Sequence, residues 1–400
     1  MIFRAAIFPL ILTALTTASQ SPIIDPTTLD PTTSRELLYL HRKLIEIESI
    51  TQNEEGVGEW LTSYLRDRNW TVDKQRVSKS RYNLLAYGKK RETTILLTSH
   101  IDTVPPYWPY YYNETTNVIG GRGSVDAKAS VAAQIIATVG LKEKLYDDIS
   151  LLFVVGEETG GDGMRAFSSW DKRPNSHEIV IFGEPTEGKL VCGHKGILGF
   201  VLKATGKAAH SGYPWLGVSA NDVLVEALSE LLELRKHLPW SEKYGNTTMN
   251  FGRVQGGVAA NVVAETASAN IATRLAAGTP DVTRGLIINA LKSVKAAAQK
   301  QGGDLEVEWT SEGYGPVDID CEIEGFETLT VNYGTDVPNL SGDHRRYLYG
   351  PGSIFVAHSD HEALKKKELE QAVLDYRRLI IKASEMRQKE QQRDDDQIEL

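Results

Sequence analysis

The sequence contains few of the features that mark disulfide-rich, membrane-spanning or nucleic-acid-binding proteins. Its 400 residues include two cysteines, Cys192 and Cys321, and no C-x-x-C pair, so any metal must be held by histidine and carboxylate side chains. The two cysteines could pair in an oxidising compartment or remain buried as small hydrophobic residues. The formal net charge of -9 argues against a nucleic-acid partner, because phosphate binding needs a basic surface.

Long apolar runs are also missing, apart from one near the start of the chain. Residues 5–15 are apolar, follow Arg4 and precede the small residues of 16–18, an order typical of a secretory signal peptide. The alternative is a buried N-terminal helix, which Pro9 disfavours. The run is too short to cross a bilayer. We therefore predict a signal peptide at residues 1–18, a secreted protein and no membrane association.

Four Asn-x-Ser/Thr sequons weakly support passage through the secretory pathway, because about two would be expected by chance. The predicted glycosylation sites are Asn69, Asn113, Asn246 and Asn339.

The two ends of the chain share one pattern. Continuous apolar runs, typical of strands buried on both faces of a largely parallel sheet, occur at Ile95–Ser99, Ile149–Val155, Ile179–Phe182 and Ser353–Ala357. Apolar residues at helical spacing predict helices at Arg35–Ile47, capped by Ser34, at Gly56–Arg68 and at Ala129–Leu141.

The middle of the chain has a different order. Its patterns predict a strand, a helix, two strands, a helix and a strand, near 197–205, 219–238, 247–255, 265–275, 282–300 and 304–309. We therefore expect an α/β fold in which a mainly parallel sheet with helices on both faces is interrupted by an inserted ferredoxin-like α/β domain. The first domain would comprise 34–193 and 310–385, the inserted domain 194–309, and a charged tail 386–400.

Each predicted buried strand ends at a residue that can bind metal. The strand ends carry His100 with Asp102, the pair Glu157 and Glu158, Glu184, and His358, and a glycine-rich loop adds Asp126. Open α/β sheets bind ligands at the carboxyl ends of their strands, so these side chains should converge at one edge. Imidazole and carboxylate suit zinc, and two zinc ions sharing a carboxylate can activate water.

Five motifs occur in an order that resembles a known family. They are S-H-I-D-T-V-P at 99–105, G-R-G-S-V-D-A-K at 121–128, G-E-E-T-G-G at 156–161, G-E-P-T at 183–186 and G-P-G-S-I-F-V-A-H at 350–358. The pattern resembles the di-zinc metallopeptidase family that contains glutamate carboxypeptidase, aminoacylase, acetylornithine deacetylase and succinyl-diaminopimelate desuccinylase, over about residues 34–380. Two departures, Ala127-Lys128-Ala129 and Ser359-Asp360-His361-Glu362, remove no ligand.

The resemblance implies two zinc ions per subunit. One would be held by His100, Asp126 and Glu184, and the other by Asp126, Glu158 and His358, with Asp126 bridging. Glu157 would be the general base, and Asp102 would orient the His100 imidazole.

The resemblance also assigns residues of the inserted domain, which acts in the family as a lid and dimerisation domain. His210 would stabilise the oxyanion, and Asn261 and Arg274 would bind substrate, with the Arg274 guanidinium gripping a carboxylate. The loop Gly334-Thr335-Asp336 resembles a further substrate-side segment. The inserted domain often dimerises in this family, although some members are monomers, so the resemblance allows a homodimer formed through this domain.

Simpler explanations exist for each residue taken alone. His100 and Asp102 could form a structural pair, and Glu157 and Glu158 could be solvated acids. His358 taken alone fits a structural role as well as it fits metal binding. His210 could be a surface histidine, Asn261 a turn residue and Arg274 half of a structural ion pair.

We expect a secreted carboxypeptidase-like enzyme that cleaves an amide bond beside a free carboxylate in a peptide or an N-acyl amino acid. An N-acyl amino acid deacylase is the main alternative, and an aminopeptidase or a non-catalytic binding protein is less favoured.

Overall fold

The computed structural model describes residues 28–398 except 171, 175 and 176. The predicted signal peptide lies outside the described residues. Among those residues, no helix combines the length and the apolar character that a membrane span requires.

The largest sheet has six strands, and four of them are parallel. In spatial order the strands are Thr71–Ser78, Arg81–Tyr87, Ile149–Val154, Ile95–His100, Ile179–Gly183 and Arg345–Tyr349. Every residue of Ile95–His100, Ile149–Val154 and Ile179–Gly183 is buried, as the continuous apolar runs predict. Below, this sheet is called the central sheet.

The two faces of the central sheet are covered differently. Leu97, Leu151 and Ile181 belong to a core with the helices Pro31–Glu46, Glu55–Arg66, Lys128–Val139 and Lys366–Ile398. The alternate residues Leu96 and Leu152 face a second core. That core contains the helix Asp162–Ser168 and a three-stranded sheet of Leu190–His194, Val317–Asp318 and Thr328–Val331. The remaining short elements are Glu143–Tyr146, a sheet of Tyr111–Asn113, Val118–Gly120 and Ala363–Lys365, and the hairpin Trp240–Ser241 and Gly245–Asn246.

The inserted unit contains the predicted β-α-β-β-α-β order. Its antiparallel sheet has the spatial order Thr248–Gly256, Thr266–Leu275, Gly196–Thr205 and Asp304–Trp309, and its helices are Ala220–Leu234 and Pro280–Lys300. Both helices pack on one apolar core with the sheet, so this unit buries its own hydrophobic residues.

Two local predictions are wrong. The first helix begins at Pro31, because the carboxylate of Asp30 accepts hydrogen bonds from the amides of Thr32 and Thr33, whereas Ser34 lies inside the helix. Residues 353–357 form turns and not a strand. Phe355 is 86% exposed, and Pro351 and Gly352, the latter with a positive φ, prevent regular strand geometry before this segment. The edge strand of the central sheet is Arg345–Tyr349, whose polar start concealed it in the sequence.

The charged tail continues a helix. Residues 386–398 are the last turns of the helix Lys366–Ile398, and residues 391–393 within them are exposed.

Candidate metal centre

His100 stands at the carboxyl end of a central strand with its orientation fixed. The side chain is buried, and its Nδ1 lies 3.0 Å from the backbone carbonyl oxygen of Asp102 and 3.5 Å from the Asp102 Oδ1 atom. Nδ1 is therefore the donor to Asp102, chiefly to the carbonyl, which leaves Nε2 to face Asp126 Oδ1 at 3.1 Å.

The Asp102 carboxylate also positions the turn that carries the two glutamates. It accepts hydrogen bonds from the amides of Glu157 and Glu158, at 3.2 and 3.3 Å, and from the Thr51 hydroxyl at 2.7 Å. Burial raises the pKa of Asp102, but the contacts with His100, Thr51 and the Glu157 amide outweigh burial and lower the pKa below its ordinary value. Asp102 is therefore ionised, and its contacts with His100 and with the amides of Glu157 and Glu158 hold the imidazole next to the turn that contains the two glutamates.

Asp126 lies between two histidines. Its Oδ1 faces His100 Nε2 at 3.1 Å, and its Oδ2 faces His358 Nε2 at 3.3 Å. On the other side of His358, Glu158 Oε2 is 3.0 Å from the same nitrogen. Glu184 Oε2 lies 3.7 Å from His100 Nε2. One carboxylate therefore joins two groups of ligand atoms, which is the arrangement of a bridging ligand.

His358 reaches this cluster from a turn, not from a strand end. Its backbone φ is 62°, and its side chain is 53% exposed. Hydrogen bonds to Asp126 and Glu158 raise the pKa of His358 to about 10, despite the opposing effect of burial. His358 lies beside Asp126 and Glu158 although the strand predicted before it is absent, because the turn after the edge strand leads to the same edge of the sheet. Its role as a metal ligand stays a prediction.

The remaining acids are crowded in a way that fits bound cations. Burial, then the charge of Glu184, raises the pKa of Glu157 well above its ordinary value, and burial raises that of Glu184 to about 7. Glu158 Oε1 is buried with no hydrogen-bond partner among the described residues. Ligand atoms of His100, Asp126 and Glu158 lie within 4.8 Å of one another, as do those of His100, Glu157 and Glu184. Divalent cations would compensate this charge and give the unpartnered oxygen a ligand.

A buried ion pair that sequence reasoning missed holds the loop of Asp126. Glu362 accepts a hydrogen bond from Arg122 Nη1 at 2.7 Å and hydrogen bonds from the amides of Val125 and Asp126 at 3.0 and 3.1 Å. Both side chains are buried. In the sequence, Glu362 is only one residue of a departure from the family pattern. No local motif indicates its contact with a loop 236 residues away.

The inserted unit contributes a second group of residues. Arg274 lies near the end of the strand Thr266–Leu275, and its Nη1 would be 3.4 Å from a Cβ atom added to Gly334. In the described part of the chain, Arg274 forms no ion pair, so the structural-pair explanation gains no support. Asp336, two residues after Gly334, is buried, which raises the pKa of that carboxyl to about 6.

His210 and Asn261 lie side by side but apart from the metal cluster. Ser211 donates its amide hydrogen to the Asn261 carbonyl at 3.0 Å, and His210 pairs with Val262. His210 Nδ1 accepts a hydrogen bond from the Gly212 amide, and both His210 and Asn261 are exposed. The structure therefore joins these two residues to each other and records no contact between either of them and the described histidine–carboxylate cluster.

Comparisons with known proteins agree with this architecture. The profile described as a peptidase dimerisation domain matches residues 192–299, and that of peptidase family M28 matches residues 84–183. A probable carboxypeptidase from Aspergillus flavus is 49% identical over 96% of this chain and 100% of its own. The chain belongs to the M20 peptidase family.

Two solved structures share the fold of this M20 peptidase. A tripeptidase from Staphylococcus aureus superposes with a TM-score of 0.70 at 21% identity, covering 87% of this chain and 98% of its own. A dinuclear metal-binding peptidase of the M20 family from Bacillus subtilis superposes with a TM-score of 0.62 at 17% identity, covering 88% and 98%. These two structures show the fold, and the 49% identity to the probable carboxypeptidase makes the chain an enzyme of the peptidase and amidohydrolase class.

The sequons and cysteines of this M20 peptidase occupy distinct surroundings. Asn69, Asn113 and Asn246 are exposed, whereas Asn339 is partly buried and donates through Nδ2 to Asp336 at 2.9 Å. Cys192 and Cys321 form a disulfide, which the sequence had left open.

Proposed function

We propose that the protein is a secreted carboxypeptidase-like hydrolase that binds two zinc ions per subunit and cleaves an amide bond beside a free carboxylate. The observation that carries the proposal is the Asp126 carboxylate, whose two oxygens each face a different histidine. An oxygen of the Glu157 carboxyl lies within 4.8 Å of the ligand atoms of His100 and Glu184. The similarity to a probable carboxypeptidase supports the substrate class.

The chain offers a ligand set for each ion. His100, Asp126 and Glu184 would hold one, and Asp126, Glu158 and His358 the other. Bound zinc supplies Lewis acidity and makes water nucleophilic at neutral pH. Imidazole and carboxylate ligands are compatible with zinc without excluding other divalent metals.

The other residues would bind substrate and move the proton. Glu157 would accept the proton of the attacking water and deliver it to the leaving amine, and burial raises its pKa, which makes the carboxylate a stronger proton acceptor. Arg274, unpaired among the described residues, would bind the substrate carboxylate. His210 and Asn261, which do not contact the described cluster in this structure, would reach the substrate when the inserted unit closes over it as a lid, and His210 would then stabilise the oxyanion.

Secretion and dimerisation belong to the same proposal. A disulfide persists in oxidising compartments, so the Cys192–Cys321 pair supports a secretory route together with three exposed sequons. The dimerisation-domain match at 192–299 supports a homodimer, and the helix Ala220–Leu234 exposes Val225 and Leu232 for such contact.

Metal analysis joined to a substrate comparison tests the proposal. Protein secreted from a eukaryotic host should contain two zinc ions per chain and lose activity on chelation. Its kcat/KM should be higher for acyl-dipeptides with a free carboxylate than for the matching C-terminal amides. Higher kcat/KM for N-acetyl amino acids would favour the deacylase alternative, and equal activity on the amides would contradict carboxylate recognition.

A further inference from the structure

The two chain segments that join the inserted unit to the rest of the protein lie against each other. His194 and Lys195 lie in the segment that enters the unit, and Tyr314 lies in the segment that leaves it. Tyr314 pairs with Ile197 through two backbone hydrogen bonds of 3.0 Å, so the two segments are joined to each other.

The Tyr314 ring is held in one position. It packs edge-on against the His194 ring, with centroids 5.9 Å apart and an interplanar angle of 76°. His194 Nδ1 lies 2.8 Å from the Lys195 carbonyl, and its Nε2 lies 3.1 Å from the Thr335 hydroxyl. Since Nδ1 donates, Nε2 must accept, and burial keeps the ring neutral by lowering the pKa of His194 to about 4. A ring fixed in this way aims the Tyr314 hydroxyl at a defined point.

That point lies beside Arg274. A Cβ atom added to Gly334 would be 2.3 Å from the Tyr314 Oη atom and 3.4 Å from Arg274 Nη1. The two polar groups therefore converge at the face of Gly334, and any side chain there would collide with the hydroxyl. Gly334 leaves this space open for the two groups.

The Tyr314 hydroxyl stays protonated at neutral pH. Burial, then the charge of Glu157, raises the pKa of Tyr314 to about 12, although the Arg274 guanidinium opposes this effect. Among the described residues, the Tyr314 hydroxyl has no hydrogen-bond acceptor, and Tyr314 contacts the His194 ring and the Ile197 backbone. A neutral donor with a free proton thus lies beside a guanidinium and within electrostatic reach of Glu157.

We propose that Tyr314 is a specificity-determining residue, whose hydroxyl donates to the substrate's free carboxylate while the Arg274 guanidinium holds the same group. Resting on the function proposed above, this inference adds a donor that comes from a linking segment. A carboxylate there would receive a charge-assisted hydrogen bond from each residue. A C-terminal amide would lose the charge and would present its own N–H groups to two donors.

The test is Tyr314→Phe assayed on an acyl-dipeptide and on its C-terminal amide. Losing a hydrogen bond to a charged group should lower kcat/KM for the free acid by about 10- to 150-fold, mainly through KM. The value for the amide should stay unchanged. Tyr244→Phe is the matched control, because the Tyr244 hydroxyl donates to Val317 and Asp318 on the same segment, away from Gly334.

A second variant guards against a purely structural effect. Gly334→Ala should impair free-acid hydrolysis in the wild-type background but add little in the Tyr314→Phe background. In the Tyr314→Phe background the Oη atom that lies 2.3 Å from the added Cβ is missing. The ring carbon that carried it, Cζ, is 3.6 Å from the added Cβ, which is an ordinary contact. Additive effects of the two changes would overturn the inference.

The outcomes separate this inference from the proposed function. If the wild type does not prefer the free acid, the proposed carboxylate recognition fails. If it does, and Tyr314→Phe keeps the same preference, only the role of Tyr314 fails. An equal fall in kcat for acid and amide would assign the hydroxyl to the oxyanion instead and would also overturn the inference.

Discussion

Replacing Glu362 by Gln should destabilise the protein and weaken its hold on metal. The carboxylate compensates the buried Arg122 guanidinium at 2.7 Å and accepts the amides of Val125 and Asp126. A Gln side chain has the same shape but no charge and only one acceptor oxygen, so either the guanidinium or the two amides lose their acceptor. Removing one partner of a buried ion pair costs about 3–5 kcal/mol, a large part of the 5–15 kcal/mol typical of a folded protein.

Urea unfolding followed by tryptophan fluorescence measures the change in the free energy of unfolding, and equilibrium dialysis against zinc measures metal retention. Both should fall together, because the amides that Glu362 accepts belong to the loop of the bridging Asp126. Glu233→Gln is the control: it removes an exposed helical pair with Lys236 and should leave both measurements unchanged. A loss below about 1 kcal/mol with normal metal retention would refute the reasoning, since that is the range of a surface pair.

Two further predictions concern the base and a buried histidine. Glu157→Gln should lower turnover by about 10²- to 10⁴-fold while metal content, measured by elemental analysis, stays at the wild-type level; substantial residual activity would rule out Glu157 as the base. Burial lowers the pKa of His41 to about 4, so the unfolded chain binds a proton first as the pH falls below about 6.5. The stabilisation from neutral His41 is therefore complete above pH 6.5 and is lost toward pH 4, with a slope of up to about 1.4 kcal/mol per pH unit. In urea titrations of chelator-treated protein between these pH values, His41→Gln should show a shallower slope than the wild type, and parallel slopes would contradict the burial argument.

Elements with a strong local pattern were predictable. The buried strands ending at His100 and Glu184 and all six elements of the inserted unit follow from apolar periodicity and turn residues, which depend on short stretches of chain. Where the local pattern misleads, the prediction fails. Residues 353–357 are apolar but partly exposed in turns, and the real edge strand Arg345–Tyr349 begins with two arginines.

The sequence by itself determined which residues could carry the chemistry, because strand ends and a glycine-rich loop mark His100, Asp126, Glu157, Glu158 and Glu184 within short motifs. Only the tertiary structure decided which groups support them. Glu362 reaches the Asp126 loop across 236 residues, and Tyr314 meets Arg274 at Gly334 where three distant segments converge. Such contacts depend on the path of the whole chain, which no local pattern encodes, so a bare metal centre could be inferred from motifs but its supporting residues could not.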